Sequence, residues 1–239
     1  MKNPYDKLLA RKRKWSPVQT TAGKLKPGAE ETIFRALAIR HMELPVGEFI
    51  EDALGEVPDH ARDLLRSNVK DEENHDLALG YIVNALGVDE EAEKEALRLR
   101  AAWEAHPDHT ITKALVAERA IFFVLLPFFR FNGDAGLRTV SADISRDEQI
   151  HVATNSLVCA DMGLTPSKSL DKLRKATINW IMEPLGRNTY GDKYLSKKFW
   201  LDTSDRLMYE GKAPELSETK SARMPAFFEH SNVNLPQYS

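Results

Sequence analysis

Two copies of the pattern Glu-x-x-His constrain this chain more than any other feature of its sequence. One copy is formed by Glu72 and His75, and the other by Glu148 and His151. On an α-helix, residues three apart lie on the same face, so a carboxylate and an imidazole with this spacing can reach one target. The spacing therefore predicts that each pair lies on a helix and can bind a transition-metal ion.

Two further glutamates occupy matching positions on the neighbouring predicted helices. Glu118 and Glu148 are equidistant from Gly133, which lies in a turn signal, and Glu43 and Glu72 are equidistant from the preceding predicted turn. In an antiparallel hairpin, residues equally far from the turn lie at the same height. The sequence therefore predicts two ligand sets that face each other across a helical bundle. They are Glu43, Glu72 and His75 in one set, and Glu118, Glu148 and His151 in the other.

The ligand on the first helix is the least certain member of this pattern. Pro45 disturbs the helical register close to Glu43, since proline lacks the backbone N–H that an inner helical turn requires. Glu48 or Glu51 could therefore take the place of Glu43.

The other lone glutamate is better defined, because Glu118 lies inside the most apolar segment of the chain. A buried carboxylate in such a segment requires a partner charge or a metal ion. Four carboxylates and two imidazoles favour iron or manganese over metals that prefer sulfur ligands. The neighbouring acids Asp71 and Glu73 are expected to face solvent.

Helical periodicity runs along most of the chain, and we find no alternating pattern typical of strands. Helices are expected at residues 29–54, 59–86, 89–103, 112–131, 140–162, 170–183 and 199–209, with a kink just after Glu43. Two lone glutamates and two Glu-x-x-His pairs are the ligand pattern of ferritin-like bundles. The sequence therefore predicts an all-α, ferritin-like bundle at residues 27–212, with a dimetal-carboxylate site in a four-helix core and extra C-terminal helices.

The segments that flank this bundle are polar. Residues 1–26 form an N-terminal arm, in which we expect the basic run 11–14 to be solvated and Trp15 to dock on the domain surface. Residues 213–239 are expected to form a flexible C-terminal tail for docking a partner.

Composition limits the environment and the partners of the protein. The 239 residues carry a net charge of −3, which gives no general attraction to nucleic acid or to an anionic membrane. Cys159 is the single cysteine, so no intrachain disulfide can form. No signal peptide is recognisable, and no apolar run reaches the ~18 residues of a membrane span. A cytoplasmic protein is expected.

Three stretches resemble a known family. Residues 146–151 resemble the Arg-Asp-Glu-x-x-His helix of the small subunits of class I ribonucleotide reductases, and residues 118–123 resemble the Glu-containing, Phe-rich helix of that family. Residues 227–229, Phe-Phe-Glu, and the later Tyr238 are similar to the family's C-terminal segment. The resemblance covers roughly residues 30–230, although only these short motifs are specific.

The resemblance implies a role for individual residues. The metal ligands would be Glu43, Glu72, His75, Glu118, Glu148 and His151, where the family usually has Asp at the first position. Asp147 would orient His75, and Trp15 would donate a hydrogen bond to Asp147. Tyr238 would pass the radical to the large subunit, and Phe122 would line an apolar O₂ pocket.

One position departs from the family in a way that affects the mechanism. The radical tyrosine of the family lies four residues after the first histidine, where this chain has Leu79. Tyr81 lies two residues further and should point to a different side of the helix. The oxidant would then be held on the metals, or another residue would carry it.

The function implied is that of a small subunit that makes and stores a one-electron oxidant at a site with two iron or manganese ions. The oxidant would be passed to a large subunit, docked through the C-terminal tail, which reduces ribonucleotides to deoxyribonucleotides. A homodimer and an activating flavoprotein are further partners that the family implies.

Three other interpretations remain open. The first is a stand-alone dimetal oxygenase or oxidase, such as an aldehyde-deformylating oxygenase, which shares the ligand set. The second is a ferritin-like metal-storage or metal-binding protein. The third is a structural helical bundle whose acids lie on its surface.

Overall fold

The computed structural model describes residues 3–189 and 191–218, and every regular element in these ranges is helical. The α-helices are α1 (Pro4–Leu9), α2 (Glu30–Ala38), α3 (Glu43–Ala53), α4 (Arg62–Leu86), α5 (Glu90–Glu104), α6 (Thr110–Ala117), α7 (Phe123–Asn132), α8 (Ala135–Met162), α9 (Lys168–Met182) and α10 (Lys197–Glu210). Short 3₁₀ turns lie at Ile39–Met42, Asp59–Ala61, Glu183–Arg187, Lys193–Leu195 and Pro214–Glu218. The prediction of an all-α bundle is therefore confirmed.

Four helical segments surround the centre of the bundle: α3, α4, α8, and the segment formed by α6 and α7. Helix α3 packs on α4 and α6, and α8 packs on α4, α6 and α7. Helices α4 and α8 are antiparallel, because Asp71 contacts His151 while the later His75 contacts the earlier Asp147. Both predicted hairpins are present, with turns between α3 and α4 and between α7 and α8.

The first helical segment breaks on the other side of Glu43 from the position that we expected. The 3₁₀ turn at Ile39–Met42 precedes Glu43, and α3 then runs through Pro45 without interruption. Proline is tolerated in the first turn of a helix, and its ring instead disfavours a regular α-helical turn before it. The expected kink just after Glu43 is therefore wrong, and Glu43 begins the new helix.

A π-helical turn at Glu118–Phe122 joins α6 to α7. Such a turn inserts one extra residue and leaves backbone groups without their usual α-helical partners. The hydroxyl of Ser204 in α10 donates to the carbonyl oxygen of Ala120 over 2.7 Å, and the buried Arg174 of α9 donates to the Ser204 hydroxyl over 2.6 Å. The C-terminal helices therefore support the turn that carries Glu118.

Helix α8 begins at Ala135, five residues before the predicted start at 140. The carboxylate of Asp134 accepts a hydrogen bond from the backbone N–H of Leu137 over 2.8 Å, and so caps the helix. The turn signal Asn132-Gly133-Asp134 predicts a later start for the helix. The same aspartate both ends the turn and starts the helix.

The N-terminal arm lies against the bundle. Helix α1 contacts α4 and α8, and the buried Tyr5 donates to Asp161 Oδ2 over 2.8 Å. Trp15 is half-buried and packs against the hydrophobic core, as the sequence suggested. The Phe-Phe-Glu segment, Tyr238 and the rest of the tail beyond residue 218 lie outside the described residues.

No helix in the described part of the chain is long and apolar enough to cross a membrane.

Candidate metal centre

The predicted ligand residues meet at one place in the middle of the bundle, and each is at most 3% exposed. Helix α3 supplies Glu43, α4 supplies Glu72 and His75, the π-helical turn supplies Glu118, and α8 supplies Glu148 and His151. Within each of two groups, one ligand atom per residue lies within 4.8 Å of every other. The groups are Glu43, Glu72, His75 and Glu148, and Glu72, Glu118 and His151.

The first group is arranged around the Nδ1 atom of His75. This nitrogen lies 3.2 Å from Glu72 Oε2, 3.4 Å from Glu148 Oε1 and 3.6 Å from Glu43 Oε2. Three carboxylates and one imidazole therefore face a common point, as the ligands of a metal ion do.

The second group is arranged around the Nδ1 atom of His151. It lies 3.0 Å from Glu72 Oε1 and 3.8 Å from Glu118 Oε1, and Glu148 Oε1 lies 3.9 Å away. The centres of the two imidazole rings are 5.6 Å apart, so the two groups lie next to each other.

The grouping differs in two respects from the two sets that the sequence predicted. Glu148 joins the group of His75, and Glu72 belongs to both groups. Because α4 and α8 are antiparallel, the glutamate of each Glu-x-x-His pair points between the two histidines. Glu72 and Glu148 would therefore each be within reach of metal held at either histidine.

The donor atoms of this centre fit a metal better than they fit one another. Among the described residues, Glu43 Oε2, Glu118 Oε1 and both carboxylate oxygens of Glu148 are buried without a hydrogen-bond partner. Buried polar groups are almost always paired, so such a concentration needs an explanation. Divalent ions would supply both the missing bonds and the missing positive charge, and the residues therefore could hold metal.

Without metal, protons must compensate for the crowded carboxylates. Burial raises the pKa of Glu43 to about 8 and holds the pKa of Glu118 well above its usual range. Burial opposes the protonation of the two histidines, but the surrounding carboxylates outweigh it. They hold the pKa of His75 well above its usual range and raise that of His151 to about 10. Metal ions would have to displace these protons.

The three candidate ligands on α3 differ in their burial. Glu43 is buried and faces His75, whereas Glu48 and Glu51 are exposed. Because the helix restarts at Glu43, the break before α3 sets the direction in which the Glu43 side chain points. Glu43 is therefore the residue of α3 that can reach the centre.

A chain of hydrogen bonds leads outward from His75. Its Nε2 atom lies 3.4 Å from Asp147 Oδ2, and the indole N–H of Trp15 donates to the same oxygen over 2.6 Å. The indole also lies roughly parallel to the imidazole, with ring centres 6.3 Å apart. The arm thus joins its tryptophan to the candidate metal centre through one carboxylate.

A second carboxylate, that of Asp71, contacts His151, and this contact was not predicted from the sequence. Asp71 is 8% exposed, and its Oδ2 lies 3.0 Å from His151 Nε2, so the expectation that it faces solvent is wrong. Glu73 is exposed, as expected. A usable signal was present, because both motifs read Asp-Glu-x-x-His and place an aspartate directly before the glutamate.

The basic run of the arm also differs from its prediction. The ammonium of Lys12 pairs with Asp71, and the guanidinium of Arg13 donates to the backbone oxygen of Asp143 over 2.5 Å. Arg11 and Lys14 are exposed. The expectation of simple solvation is therefore wrong for the two middle residues of the run.

Glu118 has a further partner within the bundle. The side-chain amide of Asn155, one turn after His151 on α8, donates to Glu118 Oε2 over 2.7 Å. This hydrogen bond leaves Glu118 Oε1 directed toward the second ligand group.

A small cavity adjoins the carboxylates. Glu43, Leu79 and Phe122 are among its lining residues, and its volume is about 10 Å³. Such a space holds roughly one molecule of the size of water. Phe122 and Leu79 thus give the centre an apolar wall.

No known family model matches this chain, and no curated protein is significantly similar to it in sequence. Functional inference therefore rests on the residues of the centre and on their geometry.

Proposed function

We propose that this protein is a ferritin-like dimetal protein that acts as the radical-generating small subunit of a class I ribonucleotide reductase. Two ions, iron or manganese or one of each, would be held by Glu43, Glu72, His75, Glu118, Glu148 and His151. When bound, these ions would react with O₂ or a reduced oxygen species and supply a one-electron oxidant.

The hydrogen-bonded chain from Trp15 through Asp147 to His75 is the observation that carries this proposal. Storage of metal requires no oxidisable side chain tied to a ligand. An oxidant that must leave the bundle does require an oxidisable side chain on its path. The indole of Trp15 can fill this role because it can give up one electron. The half-buried position of Trp15 lets it link the buried ligand to the surface of the protein.

The residues of the chain have separate tasks in this proposal. Asp147 accepts from the imidazole of His75 and so fixes its Nδ1 toward the centre. When Trp15 loses an electron, its N–H proton can move to Asp147 Oδ2 over the existing 2.6 Å contact. The carboxylate therefore keeps the charge near the indole balanced while the electron is transferred.

The position of Leu79 bears on where the oxidant is stored. Leu79 is buried and lines the cavity beside Glu43, where a tyrosine hydroxyl would face the ligands. Leucine cannot be oxidised in this way. We therefore propose that the oxidant rests on the metals and not on a tyrosine at this position.

The small cavity favours this function over that of a stand-alone aldehyde-deformylating oxygenase. An enzyme of that kind must admit a long-chain aldehyde to its metals. The space beside Glu43 is about 10 Å³ in volume, enough for about one molecule of the size of water. A small oxygen species suits it better than an organic substrate does.

The partner assignments belong to the same proposal. A large subunit would dock through the C-terminal tail and receive the oxidant by way of Tyr238, and the small subunit would form a homodimer. An activating flavoprotein would be needed if the oxidant is made from a reduced oxygen species.

The proposal is tested by loading the purified chain with Fe(II), Mn(II) or both, adding O₂, and then adding a class I large subunit with ribonucleotide. We expect about two ions per chain and an oxidised species that is consumed as deoxyribonucleotide forms. Metal binding with no consumption by any large subunit would refute the reductase function and favour an oxygenase. No stoichiometric metal under any loading would refute the metal centre itself.

Replacement of the tryptophan sharpens this test. Trp15→Phe should keep the metal content and lower ribonucleotide reduction by roughly a hundredfold or more, because phenylalanine has no N–H and is far harder to oxidise. Trp180→Phe is the matched control, since Trp180 packs near Arg35 on another part of the protein. Equal reduction by the two variants would rule out Trp15 as the path of the electron.

A further inference from the structure

The arm makes a second contact with the metal centre, on the side of His151. Lys12 donates to Asp71 Oδ2, and the same oxygen lies 3.0 Å from His151 Nε2. The ammonium nitrogen of Lys12 is itself 3.4 Å from that ring nitrogen. Lys12, Asp71 and His151 therefore form a chain of contacts that ends at a ligand atom facing Glu72 and Glu118.

This chain repeats the arrangement on the side of His75. In both cases an aspartate directly before the glutamate of one motif contacts the histidine of the other motif. In both cases a residue of the arm covers the aspartate, Lys12 over Asp71 and Trp15 over Asp147. Two residues only three positions apart thus secure both histidines.

The burial of the Lys12–Asp71 pair separates it from an ordinary surface ion pair. The side chain of Lys12 is 10% exposed and that of Asp71 is 12% exposed. A lysine and an aspartate are rarely so buried unless each compensates the charge of the other. Lys14, two residues further along the same arm, is exposed.

We infer that Lys12 and Asp71 are positioning residues that hold His151 toward the second metal ion, and that the arm is an integral wall of the centre. Asp71 accepts from the ring N–H of His151 and so leaves Nδ1 free to bind metal. Lys12 fixes the carboxylate in that orientation and balances its charge. An ammonium group cannot donate an electron as an indole can. Lys12 and Asp71 would therefore hold a ligand without providing a path for electrons.

The inference rests on the metal centre of the proposed function but not on its large subunit. The test therefore uses the full chain alone, titrated with Mn(II) and followed by electron paramagnetic resonance, which separates coupled pairs of ions from single ions. The variants are Lys12→Met, Lys12→Arg, Asp71→Asn and the matched control Lys14→Met. Circular dichroism of each metal-free variant verifies the fold.

We expect Lys12→Met and Asp71→Asn to bind one of the two ions about 10- to 100-fold more weakly than the wild type. They should show the signal of single ions at concentrations where Lys14→Met shows a coupled pair. Lys12→Arg should restore most of the pairing, because arginine keeps the charge and can still donate to Asp71.

The inference is overturned if Lys12→Met or Asp71→Asn binds both ions as tightly as Lys14→Met does. That outcome would leave the proposed function intact, because the wild-type pair of ions would be unaffected. A wild-type chain that pairs two ions but fails to support a large subunit would refute the proposed function and leave this inference standing.

Discussion

Glu43 is the ligand whose identity depends most on the structure. Its Oε2 atom is buried, has no hydrogen-bond partner among the described residues, and lies 3.6 Å from His75 Nδ1. The neighbouring Glu48 is exposed and five residues further along the same helix. Glu43 therefore adds one carboxylate oxygen to the group around His75.

Glu43→Gln should reduce the metal content from about two ions per chain to about one, because the amide keeps the size of the side chain but removes its charge. Glu48→Gln is the control and should bind metal as the wild type does. Metal analysis after equilibrium dialysis measures both. Full metal content in Glu43→Gln would show that the ions are held without this residue.

The positions of the ligands could be predicted from the sequence, but the burial of the residues next to them could not. The helical spacing of Glu72 and His75 requires only local geometry, so the pattern was enough to predict that they share a target. Whether Asp71 or Glu73 is buried depends on which face of α4 meets α8 and the arm. Such contacts between distant segments leave no periodic signal in the sequence, and the burial of Asp71 was indicated only by the aspartate that both motifs share.

At the scale of the elements, the tight turn between α7 and α8 fixes the register of the hairpin that carries Glu118 and Glu148. A Cβ atom on Gly133 would lie 2.6 Å from the backbone oxygen of Phe129 and 2.7 Å from the Cβ of Leu137. Real Cβ contacts are not this short, and backbone cannot retreat as a flexible side chain can. Glycine is needed here because the helix ends approach so closely.

Gly133→Ala should therefore lower the free energy of unfolding by about 1–3 kcal/mol, as overpacking of a dense interior does. Gly80→Ala is the matched control with the opposite sign. Gly80 lies inside α4, and its added Cβ would meet nothing within 4 Å. Alanine should stabilise that helix by up to about 1 kcal/mol.

Urea unfolding of both metal-free variants measures these changes. If Gly133→Ala were as stable as the wild type, the turn would have to shift at little cost, and the register of this hairpin would not depend on close packing.

The sequence predicts the helices but not the places where they break. Each expected helix is present, because an apolar stripe of helical period extends over many residues and survives small errors. The break before Glu43 and the π-helical turn at Glu118–Phe122 each depend on one residue or one backbone bond. A period averaged over many residues cannot locate them.

At the scale of the whole molecule, the centre combines segments that are far apart in the chain. The glutamates are equidistant from the two turns. Because hairpin geometry is local, this was enough to predict that the ligands on neighbouring helices lie at the same height in the bundle. The sequence did not predict that Lys12 would cover the centre, whereas it predicted that Trp15 would dock on the domain, and the family resemblance implied the hydrogen bond from Trp15 to Asp147. The arm docks through tertiary contacts alone, and its polar sequence resembles that of a solvated terminus.

The protons of the metal-free centre make the stability of the whole protein depend on pH. The folded-state pKa of Glu43 is raised to about 8 and that of His151 to about 10, so the folded chain binds more protons than the unfolded chain over this range. Stability falls with pH wherever the folded state binds more protons. These contributions are therefore complete below the unfolded-state pKa of each group and are lost as the pH rises toward the folded-state value.

We expect the melting temperature of the metal-free protein to fall between about pH 6 and pH 9. Divalent ions compete with the same protons, so the stabilisation that Mn(II) provides should grow over this range. Melting followed by circular dichroism, with a chelator or with saturating Mn(II), measures both curves. Glu43→Gln should flatten the metal-free curve, because the amide does not titrate, while Glu48→Gln should leave it unchanged. A metal-free melting temperature that rises with pH would mean that the carboxylates are already ionised in the fold, and that something other than protons balances their charge.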